Sequence, residues 1–112
     1  MSKYTPPPVQ FHDVLQHLPE LPYPLSWRLV FISVPTSRST MHAMVELVYT
    51  LRDGHQAVYK RWGQSVRQDN VVNAMRAALV ASQEAYLWAD GQDPNELARF
   101  IAWSLGVPAE VG

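Results

Sequence analysis

The chain has 112 residues, enough for one domain with a real core; 47% are hydrophobic and only 17% charged, below the usual globular quarter. Nine Lys plus Arg stand against ten Asp plus Glu, a formal charge of -1, which excludes a strongly basic phosphate-coating protein and an acidic mimic of DNA but not a local basic patch. The absence of cysteine excludes a disulfide framework, a thiolate metal site and a cysteine nucleophile, so a reducing cytoplasm is the expected setting, and no segment approaches the roughly 20 apolar residues of a membrane span.

Residues 1–8 end in Pro6, Pro7 and Pro8, which favour the extended polyproline II form and cannot join a sheet ladder. They read as a flexible arm ahead of a single α+β domain over residues 9–112, with a Pro-rich ligand for an aromatic groove as the sharper alternative. Val9 to Leu18 reads as a short helix, because Phe11, Val14, Leu15 and Leu18 share one face and Pro19 stops it. Pro19, Pro22 and Pro24 make the next stretch an extended connector. Trp27 to Val34 is β-branched and aromatic, apolar in both alternating sets except at Arg28 and Ser33, and predicts a central strand. Pro35 to Thr40 is a polar loop.

Met41 to Leu51 alternates cleanly, with Met41, Ala43, Val45, Leu47, Tyr49 and Leu51 on one side. Asp53-Gly54 then predicts a two-residue type I′ hairpin into a return strand, His55 to Trp62. That register pairs Tyr49 with Val58, Val48 with Tyr59, Leu47 with Lys60, Glu46 with Arg61 and Val45 with Trp62, and puts Tyr59, Arg61, Glu46, His42 and Met44 on the back of the hairpin. Gly63 to Gln68 is expected to be the turn into a long helix, Asp69 to Ala89, capped by Asp69 and Asn70 and closed at Asp90-Gly91. Val71, Met75, Ala78, Leu79, Ser82, Tyr86 and Ala89 form the face expected to meet the sheet. Val72, Ala77, Val80, Leu87 and Trp88 lie on the other side and leave only Asn73, Arg76, Gln83 and Glu84 for water. A helix this apolar is expected to be covered twice. Asp93-Pro94-Asn95-Glu96 starts a last helix that runs to Leu105, with Gly106 closing it and Pro108 preventing its return.

Chemistry-bearing patterns are sparse. Asp13 and His17 stand one helical turn apart, but two ligands do not hold zinc, the remaining histidines are scattered and no HExxH spacing occurs, so no metal is expected. The serines lack a GxSxG elbow, most carboxylates read as caps or turn formers, and the glycines are isolated, so neither catalysis nor a cofactor is expected. Tyr59-Lys60-Arg61-Trp62 mixes bases with aromatics; with Arg28, Arg38 and Arg67 it is the candidate set for nucleic acid or a nucleotide, although strand alternation splits it between two faces. A ligand pocket lined by Trp and Tyr, with Arg61 or Arg76 clamping an anion, is a further expectation.

The order of helix, three antiparallel strands and helix over Val9 to Ala89, with Asn73-Ala74-Met75-Arg76-Ala77-Ala78-Leu79 standing as its second helix, resembles the double-stranded RNA-binding domain. At the start of that helix Arg67-Gln68-Asp69-Asn70 supplies one base and an acid where the family carries a basic cluster, and Pro35 to Met41 keeps only a proline of the family's loop pattern. The resemblance therefore implies a version without RNA binding that uses its strands and extra helix for protein contacts. A ribonuclease H type unit also begins with three strands and a helix, but Trp27 to Val34 lacks that fold's catalytic Asp.

The expected architecture is α-β-β-β-α-α, a three-stranded antiparallel sheet packed on one long helix with flanking short helices. The expected function is non-catalytic binding to another protein or to a second copy, as in small phage or mobile-element accessory proteins that block a host complex. Val72, Val80, Leu87, Trp88, Phe100 and Trp103 are the interaction candidates. A monomer is the alternative, should the last helix fold back over Val80 and Leu87.

Overall fold

The computed structural model describes residues 11–33, 39–67 and 71–107. In chain order these form α1 (Phe11–Gln16), β1 (Leu25–Ser33), β2 (Thr40–Thr50), β3 (Gln56–Arg67), α2 (Val71–Ala89) and α3 (Pro94–Ser104). The α-β-β-β-α-α order is as the sequence predicts, and the strands make one antiparallel sheet in the order β1-β2-β3. The arm at 1–8, Val9, residues 35–38, the expected Asp69–Asn70 cap and Pro108 lie outside the described residues.

Trp27 to Val34 is expected from the sequence to be the central strand, but β1 pairs on one side only and is an edge; β2 is central and is buried on both faces. Toward the helices, Ala43, Val45 and Leu47 are fully buried, Ala43 and Val45 with Val14, Met75, Ala78 and Ala81, and Leu47 with Leu97 and Ile101. On the opposite face, Val48 is fully buried too, and Met44 and Glu46 are nearly so.

The hairpin corrects the sequence reading at its tip. Gly54 alone takes the left-handed conformation there, at φ 90°, its amide donates to Leu51 O, and the Leu51 amide donates to His55 O. A type I′ turn needs positive φ at Asp53 as well, and Asp53 does not have it. The loop is thus one residue longer than expected, and Tyr49 pairs with Ala57 and Val48 with Val58. A bulge between Leu47 and Val48 then absorbs the offset, so Leu47–Lys60, Glu46–Arg61 and Val45–Trp62 pair as expected. Tyr59 is the extra residue.

β3 also runs five residues beyond Trp62: Gly63 to Arg67, expected as a turn, pairs with Thr40 to Met44. Met41 to Met44 would otherwise have no partner on that side, and the alternation Trp62, Gln64, Val66 continues the helix-facing set.

α2 lies across β2 and β3 on a stripe of small residues, Ala74, Ala78, Ala81, Ala85 and Ala89. Bulky sheet side chains, Trp27, Leu29, Phe31, Trp62 and Val66, fill the space that the alanines leave. The face is therefore rotated from the expected one: Tyr86 is partly exposed, whereas Ala77, expected outside, is buried. α3 is set by local signals. The Asp93 carboxylate accepts from the Asn95 and Glu96 amides, Pro94 takes the first turn, and Gly106 at φ 73° closes the end with Val107 N donating to Ala102 O and Gly106 N to Trp103 O. Leu97 and Ile101 pin it against Leu25, Leu47 and Tyr49, so it does not fold over Val80 and Leu87, which remain exposed.

Candidate functional site

An extra residue in an antiparallel pair re-aims its side chain. At Tyr59 the bulge turns the ring to the helix side, away from the back where strict alternation would place it with Arg61, and there it meets Trp88 at 6.5 Å and Phe100 edge-on at 6.4 Å. Trp62 lies 5.5 Å from Trp88, and Trp103 lies 6.0 Å from Phe100. The result is a continuous ridge of rings crossing β3, α2 and α3, anchored inside by Trp27 at 5.9 Å from Trp62. Its outer end is open to water, with Phe100 53% and Trp103 75% exposed. Lys60 lays its ammonium over Trp62 at 5.7 Å and Trp88 at 5.8 Å, a cation on the flank of the ridge.

The six interaction candidates therefore fall into two groups. Trp88, Phe100 and Trp103 belong to the ridge, whereas Val72, Val80 and Leu87 lie exposed along the outer surface of α2. Among the nucleic-acid candidates, Tyr59 and Lys60 join the ridge, and Arg28 and Arg61 both turn to the Glu46 carboxylate on the opposite face of the sheet. Arg67 lines an open groove between β3 and α2 with Arg76, Thr40, Ser65 and Asn73. Arg38 lies outside the described residues. Among the described residues these bases form no single platform.

Two hydroxyl–imidazole pairs were not foreseen. Ser82, fully buried in α2, donates to the Val14 carbonyl, and its oxygen lies 3.0 Å from His17 Nε2. Buried and hydrogen-bonded to that carbonyl, Ser82 fastens α1 to α2. Ser65 Oγ lies 2.8 Å from His42 Nδ1 on the back of the sheet. Among the described residues no three His, Cys, Asp or Glu side chains converge as a metal site, and the Asp13 side chain lies outside them. No described helix is long and apolar enough to cross a membrane.

No known family, characterised protein or solved structure matches this chain. The site must be read from its own chemistry. Size and position mark Trp88, Phe100 and Trp103 in the sequence; Tyr59 is singled out there only as a nucleic-acid candidate on the back of the hairpin, because the bulge that turns it into the ridge leaves no local signature in a strand of ordinary composition.

Proposed function

We propose that this protein is a non-catalytic protein-binding module, self-association included, that makes contact through the ridge Tyr59, Trp88, Phe100 and Trp103. What supports the reading is the exposure of Phe100 and Trp103 at the end of a ring stack whose other end is fixed in the core. Rigid, half-anchored aromatic side chains lose little conformational entropy on binding, and Trp and Tyr dominate the energetics of interfaces for that reason. Lys60 beside them provides a polar rim. The absence of cysteine fits a reducing compartment.

The reading is tested by sedimentation of the full chain and by affinity capture with it as bait, each beside Phe100→Ser and Trp103→Ser. Concentration-dependent association or a captured partner, weakened about tenfold in each variant, is the expected result. Unchanged behaviour in both variants would remove the ridge as the contact. A second reading is favoured by the groove that both Arg67 and Arg76 line, two cations of the kind that suit a phosphate-bearing ligand. It predicts a salt-sensitive shift of labelled RNA or DNA that disappears in Arg76→Ala.

A further inference from the structure

The ridge has the chemistry that receives proline. Polyproline II segments dock on exposed aromatic rings because the pyrrolidine faces are apolar and flat, and the helix is held by ring sterics before binding, so little entropy is lost. A sequence that favours this form, Tyr4-Thr5-Pro6-Pro7-Pro8, stands ahead of α1 in this chain. Building on the reading of the ridge as a protein-binding surface, we propose that its occupant is the Pro6–Pro8 segment of a second copy of this chain.

The second copy is favoured over the same copy by where α1 lies. α1 packs on β1 and α2, where Val14 and His17 meet Ser82 and His17 meets Tyr86 at 6.0 Å. Trp88 follows Tyr86 by two residues, about 200° round the helix at about 100° per residue, and so sits on the flank next to β3. Pro8 precedes Phe11 by three residues and Pro6 precedes it by five, which reach at most about 11 Å and about 18 Å fully extended. A helix is about 10–12 Å across with its side chains, so the arm of the same chain would have to wrap over the outer surface of α2. An arm from a neighbour meets no such obstacle, and the exchange joins copies through one segment and one ridge.

The test uses the full chain carrying Pro6→Ala, Pro7→Ala and Pro8→Ala together as receptor, and a peptide of residues 1–10 as ligand. That peptide contains no tryptophan, so a change in tryptophan emission reports the protein alone. The expected result is a saturable emission change, lost with a peptide bearing alanine at the three prolines and weakened about tenfold in receptors that also carry Phe100→Ala or Trp103→Ser. Sedimentation should show association of the natural chain and a monomeric triple variant. Peptide binding with a monomeric natural chain would mean that the arm closes on its own ridge, which overturns the exchange between copies. No peptide binding, with natural and triple-variant chains associating alike through Phe100 and Trp103, would overturn the arm as occupant and leave the ridge as a protein contact. Failure of both the peptide and the association, with no partner captured through the ridge, would remove the inference and the reading beneath it.

Discussion

Glu46 is 2% exposed on the sheet face away from the helices, and two arginines answer it unequally. Arg28 donates from Nε at 2.9 Å and Nη2 at 2.7 Å to Oε1, and its Nη1 donates to Gln56 Oε1, so its extended side chain ties β1 to the far end of β3. Arg61 approaches Oε2 at 3.4 Å from a side chain that is 55% exposed. Removing Arg28 leaves a buried carboxylate with its weaker partner, and Arg28→Ala should lower stability by about 2–3 kcal/mol. Arg61→Ala, which removes a solvent-screened contact, should cost less than about 1 kcal/mol. Urea unfolding of both variants checks the order, and equal losses would show that the two arginines share the charge evenly. The hairpin tip offers a pH counterpart. Hydrogen bonds from the His55 side chain and then the His55 amide hold the Asp53 carboxyl below its usual value. A group depressed on folding adds stability above its unfolded value and loses it as pH falls through the folded one, so the turn should loosen only in acid. Carboxyl NMR titration should give Asp53 a midpoint below that of an unfolded peptide, and His55→Gln should raise it.

Between β2 and β3 a glycine faces a methionine across the ladder. Gly63 stands opposite Met44, and a Cβ at Gly63 would lie 2.8 Å from Met44 Cγ, inside any normal contact. Met44 is itself 9% exposed and has little room to swing away, so Gly63→Ala should destabilise by about 1–2 kcal/mol. In a Met44→Ala background the same change should cost less than about 0.5 kcal/mol, a coupling that a double-mutant cycle reads directly. Additive losses would place the strain elsewhere in the strand. The same hairpin shows what is legible in a sequence. Alternation along Met41 to Leu51 and the Glu46–Arg61 charge pair specify the inner register, because a slip of one residue would exchange the two faces. The tip is not legible: a loop one residue longer and a bulge at Tyr59 cancel each other, and only the side chains between them change face. α3 reads cleanly because its caps act within a few residues. The α2 face does not, because a helix apolar nearly all round gives spacing no single direction to follow, whereas packing against Trp27, Phe31 and Trp62 favours the smallest side chains. The ridge is half-legible for the same mixture of reasons, its helical rings visible and its strand ring hidden by the bulge.

For the molecule as a whole, α3 has two faces with separate consequences. Leu97 and Ile101, one turn apart and both buried, attach it to the sheet, while Phe100 and Trp103 point their rings along the ridge and into water. Ile101→Ala removes a fully buried side chain and should cost about 2–4 kcal/mol, the usual range for a truncation of that size in a core. Trp103→Ser removes a ring that is 75% exposed and should change stability by no more than about 0.5 kcal/mol. Association should respond in the opposite order of directness: Trp103→Ser weakens it in a fully folded chain, whereas Ile101→Ala weakens it only under conditions where α3 has begun to detach. Thermal unfolding and sedimentation on the same two variants separate these effects. A stability loss for Trp103→Ser as large as that for Ile101→Ala would mean that the ring is held by the fold in solution, and the ridge would then be an edge of the core with no open end to offer a partner.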